Sequence, residues 1–350
     1  MWRPLKVFNA LRTPLLATAA ACAALAIAGC SGGGSAPTMS APPTANGPLS
    51  KRIAPPGAPR QFLEAFHPLS AGSPARHAKR GGGWLSPQAA GGSGLLYVGD
   101  FGASVVTIYP RRGVNPSPIG QITDGISSPE RLFVDANGSL YASVVNAVTV
   151  YAKGTTSPSL TITNGISGPT GVTVDSAGTV YVSNTGTSTV TEYPAGATSP
   201  SVTLAIPGTP EDLCVDSQGN LYVGGFFGSS GGVLEFAPGS STGTNLGIVV
   251  GDAGGIEVDR NGNLALDDLF GDAINLYNPG QTQPYRVISL DGLPFELAMN
   301  KKQGQLYASV LVGSSFNIER VGYPDKNPTA KLDNAGGAAW PVAVSPDNVQ

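Results

Sequence analysis

The chain has 350 residues, of which 12% are charged, 48 are glycine and 30 are proline. With Val, Thr and Ser also frequent, this describes short strands joined by many turns, because Gly and Pro punctuate the chain and β-branched side chains suit a pleated surface. The formal charge is −3, but from residue 93 onward there are 22 acids against 11 bases, the wrong sign for neutralising phosphates, which argues against nucleic acid as a partner.

Arg3, Lys6 and Arg12 make a positive leader, followed by an uncharged apolar run from Leu15 to Ile27. That run is shorter than the ~20 residues needed to span a bilayer, and its flanks are those of a secretory signal. It ends in Ile27-Ala28-Gly29-Cys30, which resembles the lipobox of bacterial lipoproteins. The resemblance implies cleavage before Cys30, acyl chains on its thiol and attachment to a membrane; Ser31, in the position where Asp favours the inner membrane, points to the outer one. Residues 1–30 are therefore read as a lipoprotein signal with Cys30 kept at the mature terminus. Residues 31–92 open with Ser31-Gly-Gly-Gly-Ser35 and close with Gly81-Gly-Gly83 and Gly91-Gly92, with many prolines between. They are expected to be a disordered linker, too poor in apolar surface to offset its ordering entropy.

From residue 93 a phrase recurs. Val134-Asp135-Ala-Asn-Gly138-Ser-Leu140-Tyr141 is followed by copies starting at Val174, Val215 and Val258, and by a longer, degenerate one at Met299. The spacings are 40, 41, 43 and 41 residues, a period that marks a repeat architecture. Each Asp-x-x-Gly is expected to be a tight turn, with Asp accepting from the turn backbone and Gly at positive φ. Around it each unit carries a strand after a proline (Pro129, Pro169, Pro210, Pro294), a Leu-Tyr strand, a third strand ending near an aromatic (Tyr109, Tyr151, Tyr193, Phe236, Tyr277) and a weaker fourth. Four short strands in about 42 residues is one blade of a β-propeller.

The two ends of the repeat region complement one another. Leu96-Tyr97 is a second-strand signature with no first strand before it, and the missing strand is supplied by Pro341-Val-Ala-Val344. The fold class is therefore all-β: a six-bladed propeller over 93–350, its first blade closed by strands from both ends, which leaves no unpaired edge. The Val-Asp-x-x-Gly-x-Leu-Tyr phrase resembles the NHL-repeat propellers and, more distantly, the senescence-marker/gluconolactonase family. What the resemblance implies is a scaffold, on which many activities occur.

One face of such a ring gathers the loops between second and third strands and those leading into each first strand. Here it would bring together Asp100, Glu130, Glu211, Asp212, Asp267, Asp268 and Glu296, with Asn146, Asn184, Arg131 and Trp340 beside them. Carboxylates near one axis suit a hard cation such as Ca²⁺ or another divalent ion, which takes oxygen ligands; the alternative is solvated loop charges on an acidic surface. Phe101, Phe226, Phe227 and Phe270 fall in equivalent loops, where they form an apolar rim or pack over the blade tops. Both histidines, His67 and His77, precede the propeller, which removes Ser-His-Asp and Cys-His chemistry from it. Cys214 reads as a small buried hydrophobe. The function expected is a membrane-anchored binding module for a protein, peptide or glycan, with a divalent-metal-dependent hydrolase or lactonase as the alternative.

Overall fold

The computed structural model describes residues 83–300, 302–336 and 338–346. Cys30, the leader and most of the linker lie outside them. Among the described residues no helix is long and apolar enough to cross a membrane. Six antiparallel sheets follow in chain order.

Blade 1 comprises Val342–Val344, Leu95–Asp100, Val105–Pro110 and Gly120–Ile122; blade 2 runs from Arg131–Val134 through Leu140–Val144 and Ala147–Tyr151 to Leu160–Ile162. Blade 3 begins at Pro169–Val174, blade 4 at Thr209–Val215, blade 5 at Ile256–Val258 and blade 6 at Leu293–Met299. The fold is a six-bladed β-propeller. Its closure is the one the two ends imply: Leu96 pairs with Val344, Tyr97 with Ala343 and Val98 with Val342. Ser345 extends the seam, its Oγ accepting from the Leu95 N–H at 2.9 Å.

The repeat phrase becomes the same turn in each blade. Asp135 Oδ1 accepts from the N–H groups of Asn137 and Ser139 at 2.9 and 2.8 Å, and Asp175, Asp216 and Asp259 repeat both bonds. Gly138 and Gly178 lie at φ 87° and 86°, in the left-handed region that side chains resist. In the longer copy Asn300 accepts the bonds, and the left-handed residue is Gln303, at φ 52°.

Strands apolar on both faces are explained by six hydrophobic clusters, each joining neighbouring blades around the ring. Leu132, Leu140 and Ala142 of blade 2 pack on Leu95, Val106 and Ile108 of blade 1, and Val342 and Val344 pack with Leu293 and Leu311 of blade 6. Cys214 is buried in the cluster between blades 4 and 5, and burial pushes its thiol well above the ordinary range.

Two expectations are corrected here. Ordered structure begins before residue 93: Trp84–Leu85 adds a fifth, outer strand to blade 1, pairing with Gln121 and Gly120, and a short helix, Pro87–Ala90, follows it. Ser86 caps that helix, its Oγ accepting from Ala89 N–H. The composition that suggested linker is overridden by pairing to a distant strand. Phe226 and Phe227 likewise lie within a strand, paired with Gly231 and Ser230, because the blade 4 hairpin is longer than its neighbours.

Candidate functional site: the channel face

Where each blade's first strand begins, successive residues form two rings. In blades 3, 4 and 6 the residue after the proline is a bulge: Pro169 and Gly171 take consecutive partners, as do Pro210 and Asp212, and Pro294 and Glu296. Thr170, Glu211 and Phe295 are thereby left out of the ladder, and a bulge re-aims the side chain it carries. The equivalent positions elsewhere are Glu130, Gly254 and Trp340, and all six are partly exposed. One residue on, Arg131, Gly171, Asp212, Gly255, Glu296 and Pro341 are all buried. The outer ring faces solvent and the inner ring fills the centre.

Arg131 does most of that filling. From blade 2 its guanidinium crosses to the far side of the ring, placing Nε 3.2 Å from Asp212 Oδ1 of blade 4 and Nη2 3.7 Å from Glu257 Oε1 of blade 5. Nη1 pairs with Glu296 Oε1 of blade 6 and donates to the Leu297 carbonyl at 2.9 Å. The carboxylates are also held by backbone: Asp212 Oδ2 accepts from Ile256 N–H, Glu296 Oε1 from Leu297 N–H and Glu257 Oε1 from Met299 N–H. Gly171 and Gly255 permit this crowding. A Cβ on Gly171 would lie 2.7 Å from Ser183 Oγ, and one on Gly255 would lie 2.8 Å from Leu297 N. The channel is stoppered by an ion-pair cluster.

A second acidic group lies between blades 4 and 5. Asp267 is buried; its Oδ1 accepts from Gly255 N–H at 2.7 Å, and its Oδ2 has no hydrogen-bond partner. Burial pushes its carboxyl well above the usual range, with Asp252, Asp212 and Asp268 adding to the effect. Asp252 is buried too, faces the Glu211 carboxyl, and is raised to about 7, chiefly by burial. Asp268 accepts from Gly251 N–H at 3.1 Å and is also raised by burial. Carboxyl groups packed together in low dielectric keep protons rather than charge, so this group carries less negative charge at neutral pH than its composition implies.

Thus Asp212 and Glu296 converge on Arg131, whereas Glu211, Asp267 and Asp268 gather around Asp252. Asp100 stays in its own loop, with Oδ1 accepting from Ala103 N–H, and Glu130 sits partly exposed on the outer ring. Glu257 and Asp252 belong to these groups and were not anticipated. As for a divalent cation, the guanidinium of Arg131 already supplies the positive charge between Asp212, Glu257 and Glu296. Among the described residues no three His, Cys, Asp or Glu side chains are grouped so as to hold a metal ion. Asp212, Glu257 and Glu296 thus already have their counter-ion in Arg131.

The opposite arc of the same face is aromatic. Trp340 of the outer ring stacks on Phe101, centroids 4.9 Å apart at 24°, and lies 5.8 and 6.4 Å from Phe316 and Phe295. Phe295 meets Phe316 edge-on at 5.0 Å. Phe316 is buried, whereas Phe101, Phe295 and Trp340 are partly exposed, and Phe270 packs against the same cluster.

No protein-family model matches the chain, and no curated protein matches it. Among solved structures, the crystal structure of a nidogen/laminin complex contains a chain similar in fold, with a TM-score of 0.60 at 13% identity, covering 71% of this chain and 97% of that one. The kinship is one of fold. Solved chains matching the architecture number 1161, and so broad a set separates no one activity from another.

Proposed function

We propose that the protein is a lipid-anchored, extracytoplasmic binding module whose channel face receives a protein or peptide ligand. The observation carrying this reading is the partly exposed outer ring above a stoppered channel, with Trp340, Phe295 and Phe101 on one arc and Glu211 and Glu130 on the other. Partly exposed aromatics beside polar groups are what interface hot spots are made of. The acidic arc favours a segment presenting Lys or Arg next to apolar side chains. The similar nidogen/laminin structure is itself a protein complex, in keeping with this use of the scaffold. The anchor rests on the lipobox resemblance at Cys30.

The test is crosslinking and capture from envelope extracts with the wild type, F101A and E211Q. The expected result is one protein retained by the wild type and lost, at least ten-fold, in both variants. Retention of glycans with no protein, or equal capture by all three forms, overturns the reading. Cys30→Ser is expected to move the protein from the membrane to the soluble fraction; unchanged fractionation removes the anchor. The hydrolase alternative draws on the two unpartnered oxygens of Asp252 and Asp267, and a melting temperature raised by millimolar calcium is the result that would favour it.

A further inference from the structure

Among the described residues, the loops of the channel face carry no Lys or Arg. Arg131, at the entry to blade 2, is held by Asp212, Glu257 and Glu296. From Gly154 to Asp259 there is no base at all, against nine acids. On this face the acids of that stretch meet those of blade 5 at Glu211, Asp252, Asp267 and Asp268.

The segment leading into blade 5 builds the cluster. Val250 bridges to Gly231 of blade 4, with N–H to carbonyl bonds of 3.1 Å in both directions. Further on, Gly255 N–H donates to Asp267 Oδ1, and Asp267 N–H donates back to the Gly255 carbonyl at 3.0 Å. Asp252, between these two pins, is 1% exposed. Its Oδ1 accepts from Ala253 N–H, and its Oδ2 has no hydrogen-bond partner. Around it stand Glu211 of blade 4 and Asp268 of the blade 5 hairpin, both partly exposed, and the buried Asp267 lies beside Asp268. Phe270 is adjacent: a Cβ on Gly251 would lie 2.8 Å from its ring and 3.1 Å from Asp268 Oδ1.

Carboxyl oxygens in excess of donors, with one buried and unpartnered, need either protons or a cation. Among the described residues no three carboxyls are grouped as a metal ion would require. An ammonium or guanidinium reaches further, donates several hydrogen bonds at once and is attracted to the face of a ring such as Phe270. We propose that this cluster is the subsite for a Lys or Arg side chain of the ligand, and that it takes up the cation in exchange for a proton. A carboxyl O–H proton passes to solvent as the N–H···O bond to the carboxylate forms. The assignment rests on the reading of the channel face as a binding surface, and adds which side chain the ligand presents and when it is held.

Asp252 is raised to about 7, chiefly by burial, with Asp268 adding to it, and Asp268 is itself raised by burial. Of the other groups facing them, Glu211 meets Asp252, and Asp267 is pushed well above the usual range. Tyr277, beside Asp268, is raised to about 12, and Arg131 acts on Asp212 and Glu257. Below about pH 6 the cluster keeps its protons and attracts a cation little; as pH rises through about 7 it ionises and the cation is held.

The experiment titrates the full mature chain, with Cys30→Ser so that it carries no lipid, with the peptides acetyl-Lys-Trp-Lys-amide and acetyl-Gln-Trp-Gln-amide. Calorimetry at pH 5.5 and 7.5, in buffers of different ionisation enthalpy, reads affinity and proton release together. Expected is binding of the Lys peptide at least five-fold tighter at pH 7.5, with a proton released, and no such change for the Gln peptide. D252N should bring the pH 7.5 affinity down to the pH 5.5 value and abolish the release. D268N, at a partly exposed position, is expected to weaken binding in the same direction and serves if D252N melts early. Equal affinity for the two peptides, no binding of the Lys peptide, or unchanged pH dependence in both variants overturns the proposal. Displacement of the Lys peptide by millimolar calcium, with a raised melting temperature, overturns the side-chain cation as occupant. Failure of the binding reading is seen separately: a partner captured by the wild type and D252N alike, but lost in F101A, leaves the module standing without this subsite.

Discussion

Arg131 Nε of blade 2 lies 3.2 Å from Asp212 Oδ1 of blade 4, with both side chains almost wholly buried. A contact between blades that are not neighbours is made across the ring, and it ties the inner ring together independently of the packing between adjacent sheets.

The first prediction concerns this stopper. Arg131→Met keeps much of the volume and removes the charge, leaving Asp212 and Glu296 buried without their cation. Breaking a buried pair by removing one partner costs about 3–5 kcal/mol, and that loss is expected in chemical denaturation. Adding D212N and E296Q to the same chain removes the stranded charges and should restore a large part of it. A single variant within about 1 kcal/mol of wild type, a change typical of exposed pairs, would show that the cluster is solvated.

The closure seam gives the second prediction. A chain ending at Ala339 lacks Val342–Val344, all buried and paired with Leu96–Val98. Each fully buried Val contributes roughly 1.5–3 kcal/mol, and blade 1 would be left with an open inner edge. Set against a net stability of about 5–15 kcal/mol for a typical domain, the loss is enough to abolish cooperative melting. A truncated chain that melts within a few degrees of the full one would mean that the ring does not depend on its terminal strand.

Much of this architecture was legible in the sequence because it is local. Asp135, Asp175, Asp216 and Asp259 sit four residues before a position whose N–H they bind, so the turn is written in consecutive residues. The closure was legible from the complementary signatures at Leu96-Tyr97 and Val342–Val344. The site was only half legible. The positions of Asp212 and Glu296 at the entries to first strands are written in the repeat, but their partner is set by three-dimensional distance: Arg131 reaches Asp212, Glu257 and Glu296 from the far side of the ring. A signal for Glu257 was present, since it takes the place held by Phe133, Cys214 and Ala298 in equivalent strands, where a charge needs a partner. Trp84–Leu85 gave no such signal, because a two-residue strand among glycines is specified by the strand that it pairs with.

The repeated turn supports a third prediction. Asp175 Oδ1 accepts from Ala177 and Thr179 N–H at 2.9 and 2.8 Å, and Tyr181 OH donates to Oδ2 at 3.2 Å. Asp175→Ala removes all three acceptor contacts at a partly exposed site where water replaces some of them, so a loss of about 1–3 kcal/mol is expected. Gly178→Ala, at φ 86°, should cost about 1 kcal/mol through backbone strain, with the new Cβ pressed to 3.1 Å from Ala195 Cβ adding to it. Denaturant titrations of the two variants separate the contributions; no loss in either would mean that the turn is not what sets the blade's register.

The last prediction is the direction of the pH dependence. Asp252, Glu257 and Glu319 are each raised to about 7, in every case chiefly by burial, whereas in the unfolded chain they titrate near the ordinary carboxylate value. The folded protein therefore holds more protons than the unfolded one between about pH 4 and 7, and stability falls as pH rises through that window. Lys331 acts in the opposite sense, since burial lowers it to about 8, but its contribution grows only above that pH. Melting temperature should thus be higher at pH 5 than at pH 7.5, and D252N/E257Q should flatten the slope by supplying neutral side chains. A melting temperature that climbs steadily from pH 5 to 7.5 would require these carboxyl groups to be ionised in the fold, which their burial opposes.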